Sequence, residues 1–127
     1  MEATINPDQI TVKVENLSRR YGETLAVNQV NFECHKGEVL GFLGPNGAGK
    51  STSMQMITGN LAPTTGQITI NGFDLIDQPI EAKSCIGYLP EHPPLYRDLT
   101  VDEYLTYCAR LHRIARAQIK TALDDAK

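Results

Sequence analysis

Residues 44–51 read Gly-Pro-Asn-Gly-Ala-Gly-Lys-Ser, which fits G-x-x-x-x-G-K-S with every fixed position in register. Glycines at this spacing let the backbone fold into a concave nest whose N–H groups point inward at anionic oxygens. A helix that starts at the end of the loop brings the positive end of its dipole to the same spot. Lys50 then supplies a mobile ammonium for the outer phosphates of a nucleotide, and the Ser51 hydroxyl can hold Mg²⁺. The bland alternative is a glycine-rich turn between a strand and a helix that binds nothing. With Gly at about 7% of average composition, a chance match to four fixed positions is rare in so short a chain.

The motif requires a strand before it and a helix after it. Val39-Leu40-Gly41-Phe42-Leu43 is an apolar run that suits a buried parallel strand, and Thr52–Thr58 runs without a breaker up to Gly59. Upstream, Ile10, Val12 and Val14 alternate with polar residues, as do Val30, Phe32 and Cys34 after the Tyr21-Gly22-Glu23 turn. Two period-two segments in succession predict an antiparallel layer. Downstream, Gln67–Ile70 predicts a strand that Asn71-Gly72 turns back as a hairpin. Pro79–Ser84 predicts a short helix with Pro at its first turn, and Ile86–Leu89 another strand, stopped by Pro90. Prolines 93 and 94 make 91–96 a loop. Thr100 and Glu103 then form a capping box, after which Val101, Tyr104, Leu105, Cys108 and Leu111 line one helical face as packing. A further helix is expected from near Ala115.

A length of 127 residues suggests one domain, and a formal net charge of −3 gives no basic footprint for nucleic acid. The first residues have neither a basic start nor an apolar stretch, so no secretory signal is read there. The longest apolar run is about one strand long, which leaves membrane contact to a partner. Cys34, Cys85 and Cys108 show no C-x-x-C pairing and read as reduced thiols. Cys108 and His112 stand four apart on a predicted helix, but two ligands without a third do not make a metal site. Hydrolysis at a phosphate loop also needs an acidic residue at the end of a second strand and a group that orients water. After Ser51 the only apolar strand leading to a carboxylate is Ile86–Glu91, which ends in Pro-Glu.

Taken in order, Ser18-Arg19-Arg20-Tyr21-Gly22, Val30-Asn31-Phe32, Gly37-Glu38, Gly41–Thr52, Pro63–Gly66, Ile70-Asn71-Gly72, Ile86–Glu91 and Leu99–Glu103 resemble the ATP-binding subunit of ABC transporters. The resemblance runs along nearly the whole chain. In 89–96 it looks most like the exporter branch that includes gliding-motility and multidrug-type ATP-binding proteins. It implies an α/β P-loop NTPase fold: a mixed sheet with an N-terminal antiparallel β layer, followed by the start of a helical subdomain. Residues 1–127 would be the N-terminal part of one such domain, with the β layer and phosphate-loop core in 1–95 and the helical subdomain beginning in 96–127.

The resemblance further implies that Tyr21 stacks on adenine and that Asn46, Gly47, Ala48, Gly49, Lys50, Ser51 and Thr52 surround the phosphates of ATP. Lys50 would act on the β- and γ-phosphates, Ser51 on Mg²⁺ and Thr52 near the α-phosphate. Position 91, where the family usually carries Gln, is Glu91 here; it would act as a metal ligand beside Ser51 and as a catalytic residue beside Lys50. The partners implied are a transmembrane permease subunit and a second ATP-binding domain, at the cytoplasmic face of a membrane, with no nucleic acid. The signature L-S-G-G-Q, the acidic second motif and the switch His are absent from the 127 residues. An ABC-type ATPase by family, the chain alone is thus expected to hydrolyse little ATP. Another reading is a non-catalytic nucleotide-binding fragment that pairs with a chain carrying those motifs. A different phosphate-loop kinase or GTPase fits less well, given the antiparallel lead-in and the lack of Asn-Lys-x-Asp. A family member acting on nucleic acid is disfavoured mildly by the acidic balance.

Overall fold

The computed structural model describes residues 8–45, 47 and 49–127. They fall into two compact units, one reaching to Tyr88 and the other spanning Leu89–Lys127.

The first unit is built on a sheet of order β2-β1-β3-β4, antiparallel throughout. Its long members are β1 (Ile10–Tyr21) and β2 (Thr24–His35), flanked by β3 (Thr65–Ile70) and the two-residue β4 (Phe73–Asp74). The predicted alternation places Val14 in the core, but the next fully covered β1 residue is Leu17, an odd step away. A register shift between Val14 and Leu17 accounts for it, with Asn16 at φ 50. Such a bulge leaves backbone donors off the ladder, and buried donors need partners. Side chains supply them here: Asn16 N–H donates to Asn31 Oδ1 (2.8 Å), and Gln29 N–H, in a second positive-φ residue, donates to Ser18 Oγ (2.8 Å). Asn71 and Gly72, predicted to turn the chain back as a hairpin, both have positive φ, as a type I′ turn requires.

Helix α1 (Lys50–Ile57) places Met56 and Ile57 against Val14, Leu17, Val27, Ile68 and Ile70 of the sheet. Gly59 ends it in the left-handed region at φ 78, where its N–H donates to Met56 O and that of Asn60 to Gln55 O. These two bonds make a Schellman stop. Helix α2 (Pro79–Ser84) starts on its proline and adds Ala82 to the same core.

Two expectations fail. Neither Val39–Leu43 nor Ile86–Leu89 is a strand. Val39 and Leu43 are each 96% exposed, and only Phe42 engages, edge-on to Phe32 with centroids 5.1 Å apart. A run apolar on both faces becomes a strand only when neighbours pair with it and cover it. Among the described residues no strand pairs with either run, and each carries a central glycine, Gly41 or Gly87, that weakens its extended form.

In the second unit α3 (Val101–Leu111) packs with α4 (Ile119–Ala126), which is reached through a 3₁₀ turn at Arg116–Gln118. Of the predicted stripe, Tyr104, Leu105 and Cys108 are half-buried, whereas Val101 and Leu111 stay exposed and Ala109 is the buried residue. The capping box is complete: Thr100 N–H donates to Glu103 Oε2 (2.7 Å) and Glu103 N–H to Thr100 Oγ1 (3.2 Å). The Thr100 amide, then its hydroxyl, holds the Glu103 carboxyl below its ordinary pKa. A lowered folded pKa stabilises the fold above the unfolded value of about 4.3, and that share is lost as pH falls through the folded pKa. Glu103→Gln keeps a capping side chain without the ionisation, so its melting temperature should fall less between pH 6 and pH 3 than that of the parent, as followed by circular dichroism.

Candidate functional site

The lead into the loop is fixed by a turn at Lys36-Gly37. There His35 N–H donates to Glu38 Oε2 (2.8 Å), and this amide, then the His35 ring, lowers the Glu38 pKa. The chain from Glu38 to Pro45 then runs without regular structure to the loop. Gly47 and Gly49 adopt φ 87 and 88, the left-handed geometry that a backbone nest requires. Asn46 and Ala48, two of the expected phosphate-binding residues, lie outside the described residues.

Gly49 is the N-cap of α1. No side chain caps the helix there, and no acidic residue stands in its first turn. The first amides of a helix have no intrahelical acceptor, and the dipole makes their surroundings electropositive. Lys50, half-buried, is the first helical residue, and its ammonium reaches back over the loop to donate to the Gly44 carbonyl. Ser51 is exposed and Thr52 half-buried on the first turn, while Ser53 points into the protein at 3% exposure. The loop is seated on β2: a Cβ at Gly49 would strike the Ala26 carbonyl oxygen and stand 3.1 Å from Val27 Cγ2. A hollow of about 380 Å³ opens at this junction, lined by Ala26, Val27, Phe42, Lys50 and Ser53 among others.

Gly47, Gly49, Lys50, Ser51 and Thr52 are therefore gathered at one loop–helix junction. Tyr21 ends β1, paired with Thr24 across the turn into β2, and is 45% exposed. Glu91 belongs to the other unit, on an exposed bend. Sequence reasoning passed over Arg19, whose guanidinium lies over the Tyr21 ring with Cζ 4.7 Å from the centroid. Their i, i+2 spacing on a strand was the available signal. The Ala26 carbonyl beneath Gly49 left no signal, since a backbone contact across the fold has no residue signature. Among the described residues no helix is long and apolar enough to cross a membrane.

Residues 27–127 match the family model described as ABC transporter. The chain is 40% identical over 119 residues to the ABC transporter ATP-binding protein NatA of Bacillus subtilis (strain 168), a match that covers 90% of this chain and 48% of that protein. It is 37% identical over 113 residues to the probable multidrug ABC transporter ATP-binding protein YbhF of Escherichia coli (strain K12), covering 88% of this chain and 20% of that one. The chain thus spans less than half the length of either relative. A solved structure described as the ATP binding subunit of an ABC transporter superposes with a TM-score of 0.76 at 36% identity, over 85% of this chain and 45% of that one.

Proposed function

Since this chain belongs to the ABC transporter family as part of its ATP-binding domain, we propose that Gly44–Thr52 grips the triphosphate of MgATP. One observation carries the reading: an uncapped helix N-terminus, free of acidic residues in its first turn, follows a left-handed glycine seated on β2 and begins with a lysine. The loop and helix amides donate to phosphate oxygens, and the Lys50 ammonium exchanges the Gly44 carbonyl for a charged acceptor. Thr52 serves the inner phosphate. Tyr21 offers its ring to the adenine.

Ser51 presents a hydroxyl oxygen, a hard ligand of the kind Mg²⁺ prefers, and the family resemblance assigns the Glu91 carboxylate to the same ion. When bound, Mg²⁺ neutralises charge on the outer phosphate oxygens. In the complete transporter, ATP hydrolysis drives export through a permease at the cytoplasmic face of the membrane, with a second ATP-binding domain closing over this loop. The helices after Thr100 begin the helical subdomain.

Isothermal titration of MgATP into the purified chain tests the reading; heats no larger than dilution would end it. Glu91→Gln exchanges one oxygen ligand for another and removes a negative charge. Its MgATP affinity should stay within about fivefold of the parent, because a surface-exposed charge contributes roughly 1 kcal/mol or less. Complete loss of binding in that variant would show that Glu91 is central to the nucleotide site.

A further inference from the structure

We propose that Arg19 is a positioning residue for the nucleotide base: its guanidinium covers one face of Tyr21 and holds the ring in the plane on which adenine stacks. The inference rests on the MgATP reading above. Four observations point the same way.

The guanidinium carbon lies 4.7 Å from the Tyr21 centroid, within cation–π range. The same guanidinium is anchored through Nη1, which donates to the Ala62 carbonyl at 2.8 Å, just beyond the α1 stop. The β1–β2 register shifts on both sides of Arg19, before it from Leu17 and after it toward Arg20. Paired irregularities of this kind re-aim a side chain, and they recur beside functional sites. Lastly, Arg19 Nε is buried with no hydrogen-bond partner among the described residues.

An orphaned buried donor is costly, and a lysine here would reach with its charge and leave no such atom behind. What arginine adds is a plane. Laid over a phenol ring, that plane limits the ring's rotation and draws on its π electrons, and Tyr21 remains 45% exposed for a second layer. The arrangement is a stack of cation and tyrosine, to which a purine adds a third member. It acts on the base alone, because the phosphates are held by a different set of atoms at Gly44–Thr52.

The test compares two ligands, MgATP and magnesium tripolyphosphate, by isothermal titration of the full chain and of Arg19→Met and Arg19→Lys. The expected result is a MgATP affinity about fivefold weaker in Arg19→Met. Arg19→Lys should fall in between, and tripolyphosphate affinity should be unchanged in both. In a Tyr21→Ala background the Arg19→Met change should have no further effect on MgATP. Near-ultraviolet circular dichroism of the tyrosines reports the ring's immobilisation without ligand, and Arg19→Met should weaken that signal. Equal weakening toward both ligands, or an Arg19→Met loss that persists without Tyr21, would overturn the proposal and leave Arg19 a structural anchor of Ala62. Failure of the nucleotide reading looks different: the parent chain would then bind neither ligand.

Discussion

Lys50→Ala should bind MgATP about 10- to 150-fold more weakly than the parent, while its melting temperature changes little. The magnitude follows from one charge-assisted hydrogen bond at about 1.5–3 kcal/mol. The side chain is half-buried, and among the described residues its hydrogen bond is to the Gly44 carbonyl, so its removal takes little from the fold. In the free protein that bond ties the ammonium to a neutral acceptor. Phosphate offers a charged one, and the gain on exchange is what alanine forfeits. Because the lost interaction is between charges near the surface, parent affinity should decline as salt is raised and the variant's should decline less. Titration at two salt concentrations reads both effects. An affinity for Lys50→Ala within threefold of the parent would mean that the ammonium does not touch phosphate.

The features that could be read from the sequence share a property: their causes lie within a few residues of one another. Thr100 and Glu103 cap each other, Asn71-Gly72 makes its own turn, Pro79 starts α2 and Gly59 stops α1. The phosphate loop is legible for the same reason, as eight contiguous residues. Val39–Leu43 and Ile86–Leu89 misled because an apolar run states only that a segment wants cover; pairing with a neighbour makes it a strand, and no local pattern supplies the neighbour. Alternation located β1 as far as Val14 but could not foresee the bulge at Asn16 that turns Leu17 inward. For Arg19 the i, i+2 spacing to Tyr21 is local, but the hydrogen bond to the Ala62 carbonyl that fixes its guanidinium exists only after β1 and the segment beyond α1 have come together.

Gly49→Ala should be the most damaging single change in the loop, and Gly47→Ala is its internal control. Both glycines sit at nearly the same left-handed φ, 87 and 88, so both substitutions meet the same backbone penalty of about 1–2 kcal/mol. They differ in what the new methyl meets. Among the described residues other than its chain neighbours, nothing lies within 4 Å of a Cβ built at Gly47, whereas at Gly49 the methyl would strike the Ala26 carbonyl oxygen and crowd Val27 Cγ2 at 3.1 Å. Ala26 lies inside β2 between Leu25 and Val27, which pair with Arg20 and Arg19 of β1, and Val27 is 4% exposed in the core, so the backbone on either side resists a shift. Overpacking of that kind adds about 1–3 kcal/mol. Urea denaturation should therefore place Gly49→Ala below Gly47→Ala by that margin. Where the loop lifts off β2 to relieve the clash, the amides of α1 lose their aim and MgATP affinity falls as well. Equal losses of stability in the two variants would show that the loop is not seated on β2. The preorganisation of the nest would then have to come from the glycines' torsions alone, because the strand beneath would no longer be holding the N–H groups in place before the phosphates arrive.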